Sequence, residues 1–159
     1  MKIFLLGLLV ICTFACTTTR VVNNPAKSSI TGSWKLSTIS QPDADVANES
    51  TLFDVATLSC LERSVWNFND DKTSGTITLN GSSCINSQRK IHWLIYEPGD
   101  GTVNFQFKYL VSGEETAISN TKGYQTKIDK MDGSSMVMHT NAGKDSTSNT
   151  TLTFSKITP

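Results

Sequence analysis

Arg89-Lys90-Ile91-His92-Trp93-Leu94-Ile95-Tyr96, then Glu97-Pro98-Gly99-Asp100-Gly101-Thr102, then Val103-Asn104-Phe105-Gln106-Phe107-Lys108-Tyr109 is the stretch that decides the fold class. Ile91, Trp93 and Ile95 recur at every second position, and Val103, Phe105, Phe107 and Tyr109 do so again beyond the turn residues. A period of two marks a strand with one buried face, and Pro-Gly-Asp supplies the chemistry of a reversal. Pairing across Gly99 sets Ile95 opposite Val103, Trp93 opposite Phe105 and Ile91 opposite Phe107. Turn and pattern therefore agree on an antiparallel hairpin with a single apolar face.

The same logic extends in both directions. Towards the C-terminus, Lys122 to Met131 and Ser135 to Thr140 form a hairpin around Asp132-Gly133, a turn-forming pair. A two-residue loop sets Ile128 opposite Val137, and a three-residue loop sets it opposite Met138. The second is expected, because Met136 and Met138 then share a face with Leu152 and Phe154 of the last strand, Asn149 to Ile157. Towards the N-terminus, Val65 to Phe68 and Thr76 to Leu79 flank Asp70-Asp71. Centring that hairpin on Lys72 sets Trp66 and Phe68 opposite Thr78 and Thr76, so a bulge at Gly75 or a one-residue offset is needed to match them with Leu79 and Ile77. The first strand runs from Ser33 to Ile39, with Trp34 and Leu36 on one face. Between it and Val65, behind Ser50, the residues Leu52, Phe53, Val55, Ala56 and Leu61 fall at roughly helical spacing. That spacing predicts a short helix over one end of the sheet.

Eight short antiparallel strands, each with one apolar face, must hide their edges, and closing the sheet on itself does so. The expected fold is all-β: an eight-stranded up-and-down barrel with a short helix between the first two strands. Its inward set is Trp34, Trp66, Phe68, Trp93, Phe105, Phe107, Tyr109, Tyr124, Met136, Met138 and Phe154. A barrel of this size has room either for its own side chains or for one small molecule. Rings and flexible methionines suit a flat or lipidic ligand, and they equally suit a filled core.

Gly32-Ser33-Trp34, opening the first strand, resembles the Gly-x-Trp motif of the lipocalins, where the Trp closes the base of an eight-stranded barrel and the Gly lets the arriving backbone pass close to it. The resemblance spans most of residues 30 to 157. The Thr-Asp-Tyr-like motif of the kernel lipocalins has no counterpart near Asp132, and their late Arg over the Trp is missing, with Lys156 in its neighbourhood. What the resemblance implies is a binding module without catalysis that takes a small hydrophobic ligand in or at the mouth of the barrel. Its candidate cavity comprises the inward set other than Tyr109. The alternative is a solidly packed barrel that presents its polar loops, Asn141 to Ser146 and the segment near Phe53, to an envelope protein.

Upstream, Met1-Lys2 and the apolar run from Ile3 to Phe14 have the form of a signal peptide, too short to span a bilayer. The run ends in Thr13-Phe14-Ala15-Cys16, which resembles a bacterial lipobox of the relaxed Bacteroidota type. That resemblance implies removal of residues 1–15, acylation of Cys16, a tether over 16–31 and a barrel domain over 32–159. Ordinary signal-peptide cleavage beside a chance Cys is the alternative. Acyl chains add roughly 0.8 kcal/mol per buried methylene, so several hold a protein to a membrane stably. Thr17-Thr18-Thr19-Arg20 lacks the acidic residues that often follow Cys in surface-exported lipoproteins, which points to the periplasmic face of the cell envelope.

The leader holds one of the fourteen basic residues and none of the fourteen acidic ones, leaving thirteen against fourteen, a net charge of −1. Nucleic-acid binding requires a basic excess and is not expected. Of the four cysteines, Cys12 leaves with the leader and Cys16 takes the lipid, so Cys60 and Cys84 remain. In an oxidising compartment, and equidistant from Lys72 at the open end of a hairpin, they are expected to form a disulfide. A pair of unbridged buried thiols is the alternative. No cofactor or metal site is expected, because neither Cys nor His converges on either of them. His92 and His139 read as isolated, with no nucleophile motif beside them, so no catalytic residue is assigned. Asn69-x-Asp71-x-Thr73 superficially resembles a calcium loop, but Ser74 sits where its glycine should be, and the segment reads as a turn. Asp145-Ser146-Thr147 resembles the Bacteroidota O-glycosylation site, which makes Ser146 a candidate for modification.

Overall fold

A computed structural model describes residues 30–41, 51–54, 56–80, 84, 87–110, 122–141 and 149–158. Its elements are β1 (Gly32–Ser40), β2 (Thr51–Leu52), β3 (Ala56–Thr57), the single-turn helix α1 (Leu58–Leu61), β4 (Val65–Phe68), β5 (Ser74–Thr78), β6 (Gln88–Tyr96), β7 (Val103–Tyr109), β8 (Gly123–Met131), β9 (Ser135–Thr140) and β10 (Thr150–Lys156). Eight of the strands form the expected closed barrel, each antiparallel to its neighbours, and the ring closes because β1 pairs with both β4 and β10. One end carries the short turns after β4, β6 and β8, together with Gly32. The other end receives the longer connections, including β2, β3 and α1.

Alternation set the faces correctly, while turn geometry set the registers. Across β6 and β7 the partners are Ile91 with Tyr109, Trp93 with Phe107 and Ile95 with Phe105, two residues from the expected pairing. The reversal is centred on Asp100, whose Oδ1 accepts from the Thr102 backbone N–H at 2.9 Å and from its hydroxyl at 2.6 Å. Gly99 and Gly101 flank it at φ +94° and +87°, a left-handed region that side-chain-bearing residues avoid. A shift of two residues keeps every side chain on its face, so the inward set survived the error.

Across β4 and β5 the register is offset by one residue, but in the opposite sense to the expected match with Leu79 and Ile77: Trp66 faces Ile77 and Phe68 faces Gly75. Glycine is required there, since a Cβ on Gly75 would lie 2.4 Å from the backbone oxygen of Asn67. The turn itself is organised by Asp71, whose carboxylate accepts from the backbone N–H groups of Thr73 and Ser74, each at 2.8 Å, and from the Ser74 hydroxyl. Ile128 does face Met138, as expected, but a bulge at Asp129 rather than loop length alone sets that register.

The helical expectation for the segment before β4 is corrected. Leu52 pairs with Ala56 in a two-rung ladder, and helix is confined to Leu58–Leu61. Phe53 and Asp54 adopt left-handed backbone, φ +58° and +52°, which reverses the chain and turns Leu52 and Phe53 inward together. A tight reversal thus produced the apolar spacing that reads as helix. Packing also reaches back beyond Gly32 to Ile30, which is fully buried and accepts a 2.7 Å hydrogen bond from the Trp34 indole N–H. Cys16 and Ser146 lie outside the described residues.

Cys60 of α1 is disulfide-bonded to Cys84, with Cα atoms 5.6 Å apart. The bond ties the foot of the β2–α1 segment to the β5–β6 connection, and a loop of this length is worth about 3 kcal/mol through the entropy it removes from the unfolded chain. Replacing both cysteines with Ser is expected to lower the thermal midpoint by roughly 10 °C. Calorimetry of the two proteins in one buffer checks this.

Candidate functional site

Every member of the candidate cavity set is buried. Tyr109, inward in the pattern, is partly buried against them. Together they form two ring clusters joined by Trp66 and by the stacked pair Phe105 and Phe107, 5.6 Å apart. Nearer the short turns, Phe68 lies 5.4 Å from Trp93 and 5.4 Å from Phe105, centroid to centroid. Nearer the long connections, Phe107 lies 5.2 Å from Tyr124 and 5.7 Å from Tyr109. Trp66 contacts Phe68 at 6.3 Å, Phe107 at 5.5 Å and Phe154 at 5.3 Å. Most of these pairs meet edge to face, the arrangement the ring quadrupole favours. Met136 and Met138, fully buried, complete the wall opposite with Leu152 and Phe154.

The three indole N–H groups of this interior have acceptors in the chain. Besides the Trp34 bond, the Trp66 indole donates to Ser64 Oγ at 2.9 Å and that of Trp93 to the Ser74 carbonyl at 2.7 Å. Lys156 Nζ sits 5.1 Å from the Trp34 ring centroid, so a lysine provides the cation over the basal tryptophan.

Strand alternation does not place Phe53 in the interior, because it belongs to a connection. Its ring nevertheless enters the barrel from the long-connection end and contacts Phe107 at 5.1 Å, Tyr124 at 5.5 Å and Trp66 at 6.1 Å. Asp54 holds it there: its Oδ2 accepts from Lys122 Nζ at 2.7 Å and from the Tyr124 hydroxyl at 3.1 Å. These bonds, first that from Lys122 and then that from Tyr124, hold the Asp54 carboxyl below its ordinary value of 3.8. Burial, reinforced by the hydrogen bond to Asp54, pushes Tyr124 up to about 12. Tyr109 is raised further, chiefly by burial. Its hydroxyl is shielded from water and has no hydrogen-bond partner, the one such buried side-chain atom among the described residues. Arg89 stands at the same rim, its guanidinium carbon 5.9 Å from the Tyr109 ring centroid.

Both histidines lie on the outer face, and His139 is not isolated. Its Nδ1 meets Asp129 Oδ2, and its Nε2 lies 2.8 Å from the Thr151 hydroxyl. The bulge at Asp129 aims that carboxylate across the strands, and Lys127 pairs with it at 3.2 Å. Carboxylate, imidazole and hydroxyl in this order can activate the hydroxyl inside an enclosed cleft. Here the carboxylate and the imidazole line an open depression of about 650 Å³ with Asn104, Gln125 and Asn149, and both ring nitrogens are engaged in binding β9 to its two neighbours. Among the described residues, no group of three or more His, Cys, Asp or Glu could hold a metal ion.

The Asp54 latch has a defined pH dependence. A carboxyl whose folded pKa is depressed stabilises the fold above its unfolded pKa and loses that contribution as pH falls through the folded value. Since the pair is largely exposed, the effect is at most about 1 kcal/mol. Asp54→Asn is therefore expected to lower the thermal midpoint by roughly 2 °C at pH 7. The difference should shrink as pH falls below 3.8, which melts at graded pH will record.

No curated protein and no solved structure matches this chain. Lipocalin-like barrels are typically binding proteins rather than enzymes and commonly take small hydrophobic ligands. The model of the lipocalin-like domain family matches residues 30–157, the whole of the closed barrel with its ring-lined interior, and the chain belongs to that family.

Proposed function

We propose that this chain is a lipid-anchored binding module of the bacterial cell envelope, facing the periplasm, that takes a small apolar molecule at the long-connection end of its barrel. The observation that carries the reading is the position of Phe53. Most of the interior is filled by rings rooted in barrel strands, whereas Phe53 is supplied by a two-rung hairpin with two residues in left-handed backbone. Each such residue costs on the order of 1 kcal/mol. Withdrawing Phe53 opens a space bordered by Trp66, Phe107 and Tyr124 without breaking a barrel strand pair. Anchoring rests on the leader and Cys16, with residues 16–31 as the lipidated N-terminus and tether, of which Ile30 already packs into the barrel.

A second reading is favoured by the filled interior: a packed barrel that meets an envelope protein through its outer face. The polar depression around Asp129 and His139, with Asn141 at its border, would be the contact surface.

Native mass spectrometry of the mature chain, residues 16–159 with Cys16→Ser to keep it unacylated, separates the two. A co-purified small molecule lost on denaturation is expected. A clean protein mass, with tryptophan emission unmoved by fatty acids and tetrapyrroles, would favour the packed barrel instead. Anchoring has its own test. The native chain in a bacterial host is expected to incorporate labelled palmitate, and Cys16→Ser is expected to abolish the label.

A further inference from the structure

We infer that the ligand is amphipathic with a carboxylate end, and that Arg89 and the Tyr109 hydroxyl receive that end at the barrel rim. This rests on the binding reading above and specifies the ligand class.

The first observation is the Tyr109 hydroxyl. The three indole N–H groups have acceptors, Tyr124 donates to Asp54, and the buried Thr126 hydroxyl reaches Met138 Sδ at 3.3 Å. Among the described residues Tyr109 alone has no such partner, although its hydroxyl is shielded from water. A buried O–H without an acceptor is a standing penalty that a phenylalanine would not incur, so the group is explained by an acceptor that arrives with a ligand.

The second is charge. Arg89 shares the inward-facing series of β6 with Ile91 and Trp93, but stands beyond them at the rim, exposed and over the Tyr109 ring. A planar guanidinium over the ring that carries one free hydroxyl donor suits a group with two acceptor oxygens at that rim.

The third is what happens when Phe53 leaves. Asp54 is its neighbour in the chain, so the hairpin that withdraws the ring also removes the carboxylate from the rim. Lys122 and the Tyr124 hydroxyl are then released from Asp54. The opened rim presents two cations and two hydroxyl donors where the closed one held a neutralised pair. Such an opening favours an anionic end outward, with the apolar body in the place of the Phe53 ring.

The test compares dodecanoate with dodecanol at pH 7.5, by tryptophan emission and native mass spectrometry, on the mature chain with Cys16→Ser. Dodecanoate is expected to bind at least about tenfold more tightly, as a hydrogen bond to a charged group implies. Arg89→Gln should remove that preference and leave dodecanol binding unchanged. Tyr109→Phe should weaken dodecanoate about tenfold while raising the thermal midpoint of the unliganded protein by a few degrees, roughly, because the unpaired hydroxyl is gone. A residue with only a packing role would not move affinity and stability in opposite directions. Equal binding of acid and alcohol, or a preference that survives Arg89→Gln, would overturn the assignment of the carboxylate end and leave the binding module standing. If neither probe binds, the binding reading fails and takes this inference with it.

Discussion

A sheet of eight strands that closes on itself leaves an interior only a few side chains across, and that narrowness governs this molecule. β1 is held on both edges, by β4 and by β10, so the wall has no free seam. Large rings directed inward from every side must then interlock, and each polar atom they carry must find its partner inside the same small volume. The three tryptophans illustrate this. Their indole N–H groups reach an Ile30 carbonyl, a Ser64 hydroxyl and a Ser74 carbonyl, all supplied by residues just outside the strands or at their ends. The turn and connection residues are thus part of the core's hydrogen bonding. The long-connection end is where this arrangement is least complete, with a ring supplied by a connection and a phenol left unpaired.

Much of this was legible in the residues. Alternation alone identifies which side chains point inward, since a period of two survives any even error of register, and the β6–β7 pairing shows it. Register depends on turns, whose geometry turns on single atoms: the Asp100 carboxylate between two left-handed glycines, or the missing Cβ of Gly75. The segment around Phe53 reads as helix because a tight reversal in left-handed backbone brings neighbouring apolar residues to one side, as a helical turn also does. Phe carries no signal for that conformation, and Asp, although it tolerates left-handed backbone better than most residues, marks it only weakly. The polar rim was invisible for another reason, because Arg89, Tyr109, Lys122 and Asp54 come from three strand ends and a connection, and only closure of the barrel assembles them. The partners of His139 were hidden likewise, since Asp129 turns towards it only through a bulge.

The outer face contrasts with the interior. Across β7 and β8, Gln106 donates to Gln125 at 2.8 Å, and Gln125 donates to Asn104 at 3.4 Å, an amide ladder that fixes the surface without charge. With Ser37 and Ser155 sharing a hydroxyl contact at 2.8 Å between β1 and β10, neutral pairs do much of the cross-strand work there. Such contacts are insensitive to salt, unlike the Asp54–Lys122 latch.

The seam between β1 and β10 also dictates an order of events. Ser37 and Ser155 are 118 residues apart in sequence, near opposite ends of the chain. Neighbouring hairpins from β4 to β10 can form from local contacts, but β1 finds its second partner only when the last strand is available. Loop closure over such a span is entropically costly and slows folding. Until that contact forms, the edges of β1 and β10 stay open to pairing with other chains. Completion of the C-terminal strand is therefore the step that turns an aggregation-prone sheet into a closed molecule.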